Sequence, residues 1–161
     1  MAIYLKYDGV EGPVATKGFE KQIELASASF NGGRAMGMSN RSDKNRGHAE
    51  PHISEINCSK TWDATSSVKL LEDSIAGVGG KKATLTFTTT SKNVVVAYLV
   101  VELEDAVLSN YSVSTGSESQ PSESFSLNYT KITVTPYEVK DGKSTKKDVF
   151  NYSLPSMQAN G

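Results

Sequence analysis

The sequence predicts a single all-β domain carrying one short helix, and three observations predict it. Residues 93–108, N-V-V-V-A-Y-L-V-V-E-L-E-D-A-V-L, form the longest apolar run and are rich in β-branched side chains. Period-two alternation of apolar and polar residues recurs elsewhere, punctuated by turn formers. Only one stretch, about residues 63–76, shifts to the 3.6-residue period of a helix. At 161 residues the chain can bury a real core and is short for two units, so residues 1–161 are read as one domain.

In chain order, Ile3, Leu5 and Tyr7 alternate with Tyr4 and Lys6 before Asp8-Gly9 and Gly12-Pro13 turn the chain. Residues 22–30 continue with Ile23 and Leu25 on one face, then lose their large side chains in A-S-A-S. Residues 31–50 contain four glycines and no β-branched residue, with Arg34, Arg41, Lys44 and Arg46 against Asp43 and Glu50. They read as a long basic loop, uncommon in a compact domain and usually either functional or disordered, so that a solvated loop and a protein-contact role both stand open. Residues 51–62 return to alternation around Ile53 and Ile56. Asp63 then stands as N-cap, Val68, Leu71 and Ile75 fall at helical spacing, and Gly77 is a stop signal. Residues 82–90 and 93–108 pair as a hairpin across a Ser-Lys-Asn turn. Residues 111–115 are short and polar, and 116–124 form a Ser/Glu/Pro-rich loop. In 125–139 the apolar parity changes between Tyr129 and Ile132, which requires a bulge or a switch of buried side near Lys131. Pro136 points to an edge, and Val149, Phe150, Tyr152 and Leu154 suggest a last short strand. The total is seven to nine strands.

Within the central run, Val95, Ala97, Leu99, Val101 and Leu103 make one unbroken apolar face that belongs in the core. The even positions Val94, Val96 and Tyr98 are also apolar, but that face turns acidic at Glu102 and Glu104. Half of it needs a cover, either the helix or a neighbouring subunit.

Composition excludes several function classes. Seventeen basic and 18 acidic side chains give a net charge of −1, no global field for nucleic acid or an anionic membrane. The lone Cys58 cannot form an internal disulfide, and no apolar leader or membrane-length run is present, so cytoplasmic folding without membrane insertion is expected. His48, Glu50, His52, Glu55 and Cys58 invite a metal reading, but Pro51 interrupts any helical spacing and an extended chain separates them. The glycine-rich residues 77–82 follow a helix instead of leading into one, which argues against a phosphate loop. No G-x-S-x-G elbow occurs. No catalytic, metal or cofactor residue is therefore assigned. The basic loop has no aromatic after Phe30 to stack bases. A further possibility is charge matching, with Glu102, Glu104, Asp105, Glu118 and Glu123 of a neighbouring copy as potential docking partners. Such a heterologous contact must close as a ring or continue as a filament.

The order of several weak motifs along the chain is informative. The opening I-Y-L-K-Y-D-G-V-E-G at residues 3–12, I-E-L at 23–25 leading to S-F-N-G at 29–32, K-T-W-D-A-T-S at 60–66, Y-L-V-V-E-L-E-D-A-V-L-S at 98–109 and E-S-F-S-L-N-Y-T-K-I at 123–132 together resemble the Hcp family, tube proteins of the bacterial type VI secretion system. Ala28 and Phe30 stand where that family commonly has tryptophans. The resemblance implies a compact β-barrel of two packed antiparallel sheets with a flanking helix. It implies six copies closing into a ring, and rings stacking head to tail into a tube. It further implies a spike protein at the tip, a contractile sheath outside, small effectors in the lumen, and export without a Sec signal. Interface candidates are Asn31, Arg34, Arg41, Lys44 and Arg46 of the loop, with Val94, Val96, Tyr98, Glu102 and Glu104 of the central strand. Lumen candidates are the small polar Ser27, Ser29, Ser112 and Ser114. No fused effector domain is expected. The rival from another class is a monomeric β-sandwich that binds a ligand such as a glycan.

Overall fold

A computed structural model describes residues 1–34 and 51–154. The elements are β1 (Ala2–Tyr7), β2 (Ile23–Leu25), β3 (Ser27–Ser29), β4 (Gly32–Arg34), β5 (Pro51–Ile53), β6 (Ile56–Thr61), α1 (Ser67–Ala76), β7 (Lys81–Ser91), β8 (Val94–Ser114), β9 (Ser122–Asn128), β10 (Lys131–Lys140), β11 (Lys143–Lys146) and β12 (Phe150–Ser153). The strands outnumber the seven to nine expected because bends divide continuous stretches, and because β4 and β11 form where no strand is expected, β4 at the start of the expected 31–50 loop. One such bend is Ala26, between β2 and β3. Another is Tyr129-Thr130, where the expected parity change is a corner between β9 and β10.

All pairings are antiparallel, and ten strands form one connected sheet ordered β2-β1-β7-β8-β9-β6-β3, with β10 also on β8 and carrying β11 and β12. The two ends of that order, β2 and β3, follow one another in the chain with Ala26 alone between them, and no ladder joins them among the described residues. The strand β8 organises it: its first part pairs with β7 and β10, and its last part, from Val107, pairs with β9. The interior is filled by Leu5, Ile23, Ile56, Leu85, Val101, Leu127 and Ile132, all fully buried.

The expected uninterrupted odd face of β8 is corrected. Phe87 lies opposite Leu99 and Thr88 opposite Ala97, which leaves Tyr98 as an extra, bulged residue. Because cross-strand partners share a face, Val94 and Val96 lie on the side of Leu99 and Val101, and Val95 and Ala97 on the side of Glu102. Val94 and Val96 therefore do not share the face of Glu102 and Glu104. A second extra residue sits at Asp105, whose φ is +53°, between the pairs Ala83/Leu103 and Lys81/Ala106. There the core parity passes to Ala106 and Leu108, both buried. The β7–β8 hairpin itself is as expected, turning through Lys92 and Asn93 at φ +48° and +61°.

The helix begins at Ser67, four residues after the expected cap. Asp63 caps the preceding turn, its carboxylate accepting the backbone N–H of Thr65 at 2.9 Å and of Ser66 at 2.6 Å. Its buried side is Ser67, Leu70 and Asp73, whereas Val68, Leu71 and Ile75 point outward. The reason is polar anchoring. Asp73, 7% exposed, accepts the Tyr7 hydroxyl at 2.6 Å and pairs with Lys81, while Ser67 joins a buried ion pair at the other end. In the opening motif, Gly12 is required by contact: a Cβ there would lie 2.2 Å from the Gln22 carbonyl oxygen.

Candidate functional site

The strands β3, β6, β9 and the last part of β8 lie side by side, and their registers align three rows across the sheet. Ser29, Asn57, Ser126 and Asn110 form one row, Ser27, Ser59, Ser124 and Ser112 the next, and Thr61, Ser122 and Ser114 the third. All project to the same face, since side chains of alternate residues share a side and cross-strand partners do too. The middle row is hydrogen-bonded at both ends, Ser27 Oγ to Ser59 Oγ at 2.5 Å and Ser112 Oγ to Ser124 Oγ at 2.6 Å. Ser126 Oγ donates to Asn57 Oδ1 at 2.7 Å. The three rows carry hydroxyls and amides and no charged side chain.

The four serines singled out from the sequence, Ser27, Ser29, Ser112 and Ser114, are thus brought together on one exposed sheet face. Sequence reasoning missed their companions Asn57, Ser59, Thr61, Ser122, Ser124 and Ser126. Their signal was parity: Asn57 and Ser59 alternate with Ile56 and Cys58, and Ser124 and Ser126 with Phe125 and Leu127.

The opposite side of the same four strands is the core, and it holds a charge pair. Lys60 and Glu123 are cross-strand partners, 2% and 1% exposed, joined at 2.6 Å. Lys60 Nζ also meets Asp63 Oδ2 at 2.7 Å and donates to the Thr61 carbonyl at 2.8 Å. Ser67 Oγ donates to Glu123 Oε2 at 2.9 Å, and the Tyr111 hydroxyl bonds to Oε1. Burial, together with that carboxylate, raises the Tyr111 hydroxyl above the ordinary phenol range. This cluster ties the start of the helix to the back of the polar face. It also corrects the reading of Glu123 as a docking carboxylate, because its side chain has no access to a neighbour.

The remaining predicted positions are dispersed. Asn31 is exposed and its N–H donates to Ser54 Oγ at 2.8 Å. Arg34 is exposed opposite Pro51 in the β4–β5 ribbon, and Arg41, Lys44 and Arg46 lie outside the described residues. Val94 is 51% exposed, and half-buried Tyr98 tilts against Phe87 with ring centroids 6.3 Å apart. The helix does not cover this patch. It leads into Lys81 opposite Ala106, roughly 30 Å along the hairpin from Val94 opposite Ser91. Glu102 is exposed between Thr84 and Thr133, and Glu104 lies 4.0 Å from Lys131. Of the residues weighed for metal, His48 and Glu50 lie outside the described residues, His52 is exposed in β5, and Cys58 faces the core.

This antiparallel β-protein, with one flanking helix among the described residues, has close counterparts among solved structures. One described as "Structure of a type six secretion system protein" superposes with a TM-score of 0.83 at 24% identity, covering 95% of each chain. A type VI secretion system effector from Yersinia pestis gives 0.73 at 16%, covering 94% of this chain and 99% of the other. Hcp1 from Salmonella typhimurium gives 0.71 at 18%, covering 95% and 94%. The fold is therefore that of type VI secretion system proteins. The family profile described as "Type VI secretion system effector, Hcp" matches residues 4–135, and the chain belongs to that family. A comparison with curated proteins found no match. Among the described residues, no helix is long and apolar enough to cross a membrane.

Proposed function

We propose that the chain is a structural subunit without catalysis of its own. Six copies close into a ring, rings stack head to tail into a tube, and the type VI system expels that tube without a Sec signal. The observation that carries this reading is the uncharged hydroxyl and amide face of β3, β6, β9 and β8. As a lumen wall it offers hydrogen-bonding groups that water satisfies equally well, so it neither repels nor traps a small effector by charge or apolar burial. Loop residues Asn31, Arg34, Arg41, Lys44 and Arg46, with Val94, Val96, Tyr98, Glu102 and Glu104, supply contacts between subunits and rings. A spike protein at the tip and a sheath outside complete the assembly.

Light scattering of the purified protein, with negative-stain imaging, tests the reading. Hexamer mass and ring images are expected, and a monomer at tens of micromolar with no rings overturns it. Charge reversal at Arg41 and Arg46 then weakens stacking in a salt-sensitive way. The rival glycan-binding monomer draws on the exposed Phe30, Trp62 and Phe150. Those rings form no common platform, since Phe30 and Phe150 line one cleft and Trp62 another.

A further inference from the structure

The sheet made by β8 and β10 ends in two short edge strands, and they are protected differently. The strand β11 is K-S-T-K, and Lys143 and Lys146 guard its edge in the way natural sheets discourage pairing with another chain. The strand β12 is F-N-Y-S, with no charge and no proline. Its backbone polarity follows from one bond. Leu154 N–H donates to the Thr130 carbonyl at 2.7 Å, so in the antiparallel register Tyr152 and Phe150 also bond to β10. The N–H and C=O groups of Asn151 and Ser153 therefore point away from the sheet. Among the described residues no backbone group pairs with them.

Beside this edge runs an apolar cleft of about 330 Å³ between β12 and the β4–β5 ribbon, lined by Phe30, Ile53, Phe150 and Tyr152, with Arg34 also on its wall. Phe150 is 56% exposed there. An unguarded edge specifies an extended backbone, an adjoining apolar cleft specifies large side chains on one parity, and a cationic wall specifies an acidic residue beside them.

We propose that β12 and its cleft bind an extended segment of a partner polypeptide as an added strand. In that segment apolar residues alternate with polar ones, and a carboxylate lies near Arg34. This surface is built by strands other than those of the hydroxyl face, and Arg34 is the one residue it shares with the proposed subunit contacts.

The probe is a fluorescein-labelled peptide, Thr-Val-Thr-Phe-Thr-Val-Glu, titrated against the full chain by fluorescence polarisation. Saturable binding is expected, and a scrambled peptide with a central proline binds at least several-fold more weakly. Asn151→Pro and Ser153→Pro each remove an outward N–H without touching the β10 ladder, and each weakens binding about tenfold while circular dichroism stays native. If one of these variants fails to fold, the other decides. Phe150→Lys, which copies the guard of β11, abolishes binding. No binding by the unaltered chain, equal binding of the scrambled peptide, or unchanged affinity in a folded proline variant and in Phe150→Lys overturns the proposal. So does a protein-concentration-dependent doubling of mass that Phe150→Lys abolishes and the peptide does not compete with, since the edge then serves a second copy.

Discussion

Lys60 and Glu123 face one another across β6 and β9 at 2.6 Å, with side chains 1% and 0% exposed. They continue the core-facing parity of Ile56 and Cys58 on one strand and of Phe125 and Leu127 on the other. A charge pair thus occupies a place where the alternation calls for apolar residues. It survives because Asp63, Ser67, Tyr111 and the Thr61 carbonyl satisfy the remaining donors and acceptors.

Removing one partner strands the other. Glu123→Ala is expected to cost about 3 kcal/mol, the low end for a broken buried pair because Asp63 still meets the ammonium. The double variant Lys60→Met with Glu123→Leu loses less than the single one. Urea denaturation of both variants checks this, and a double variant less stable than Glu123→Ala contradicts it.

Asp63 makes part of the stability depend on pH. Burial pushes its carboxyl up, but hydrogen bonds from Lys60 and Ser66 and the Lys60 charge outweigh burial and hold it below the usual carboxylate range. The unfolded chain then binds the proton more readily than the folded one. The stabilisation is complete above the ordinary carboxylate value of about 4 and is lost as pH falls through it toward the folded value. The urea midpoint of the wild-type chain should therefore fall more steeply between about pH 5 and 3 than that of Asp63→Asn.

Cys58 is 2% exposed, and burial pushes its thiol up to about 12. With so little thiolate near neutral pH, dithionitrobenzoate is expected to label it only as fast as the chain unfolds. Immediate stoichiometric labelling of the native protein contradicts this.

The hairpin turn carries two left-handed residues without glycine, Lys92 and Asn93. Replacing them by Asn-Gly, the pair such a turn favours, should stabilise by about 0.5–1 kcal/mol and raise the thermal midpoint by a few degrees. Calorimetry of the double variant tests it.

Much of the architecture is legible in the residues. The all-β class, the β7–β8 hairpin, the place of the one helix and the parity change before Ile132 follow from local periodicity and turn chemistry, which act within a few residues. The four serines of the polar face could also be picked out. That they share a face with Asn57, Ser59 and Ser124 could not, because a strand's period says which of its own residues agree and nothing about its neighbours.

Tertiary structure decided the rest. Bulges at Tyr98 and Asp105 reversed the face of the central strand twice, and an extra residue exists only relative to the register of a partner strand, here β7. The helix turned Val68, Leu71 and Ile75 outward because Asp73 and Ser67 had charged and hydroxyl partners waiting on Tyr7, Lys81 and Glu123, each distant in sequence or on another element. Glu123 reads as surface in a polar loop and is buried in fact. The energy of a paired charge depends on a partner 63 residues away, and only the folded chain brings that partner within reach.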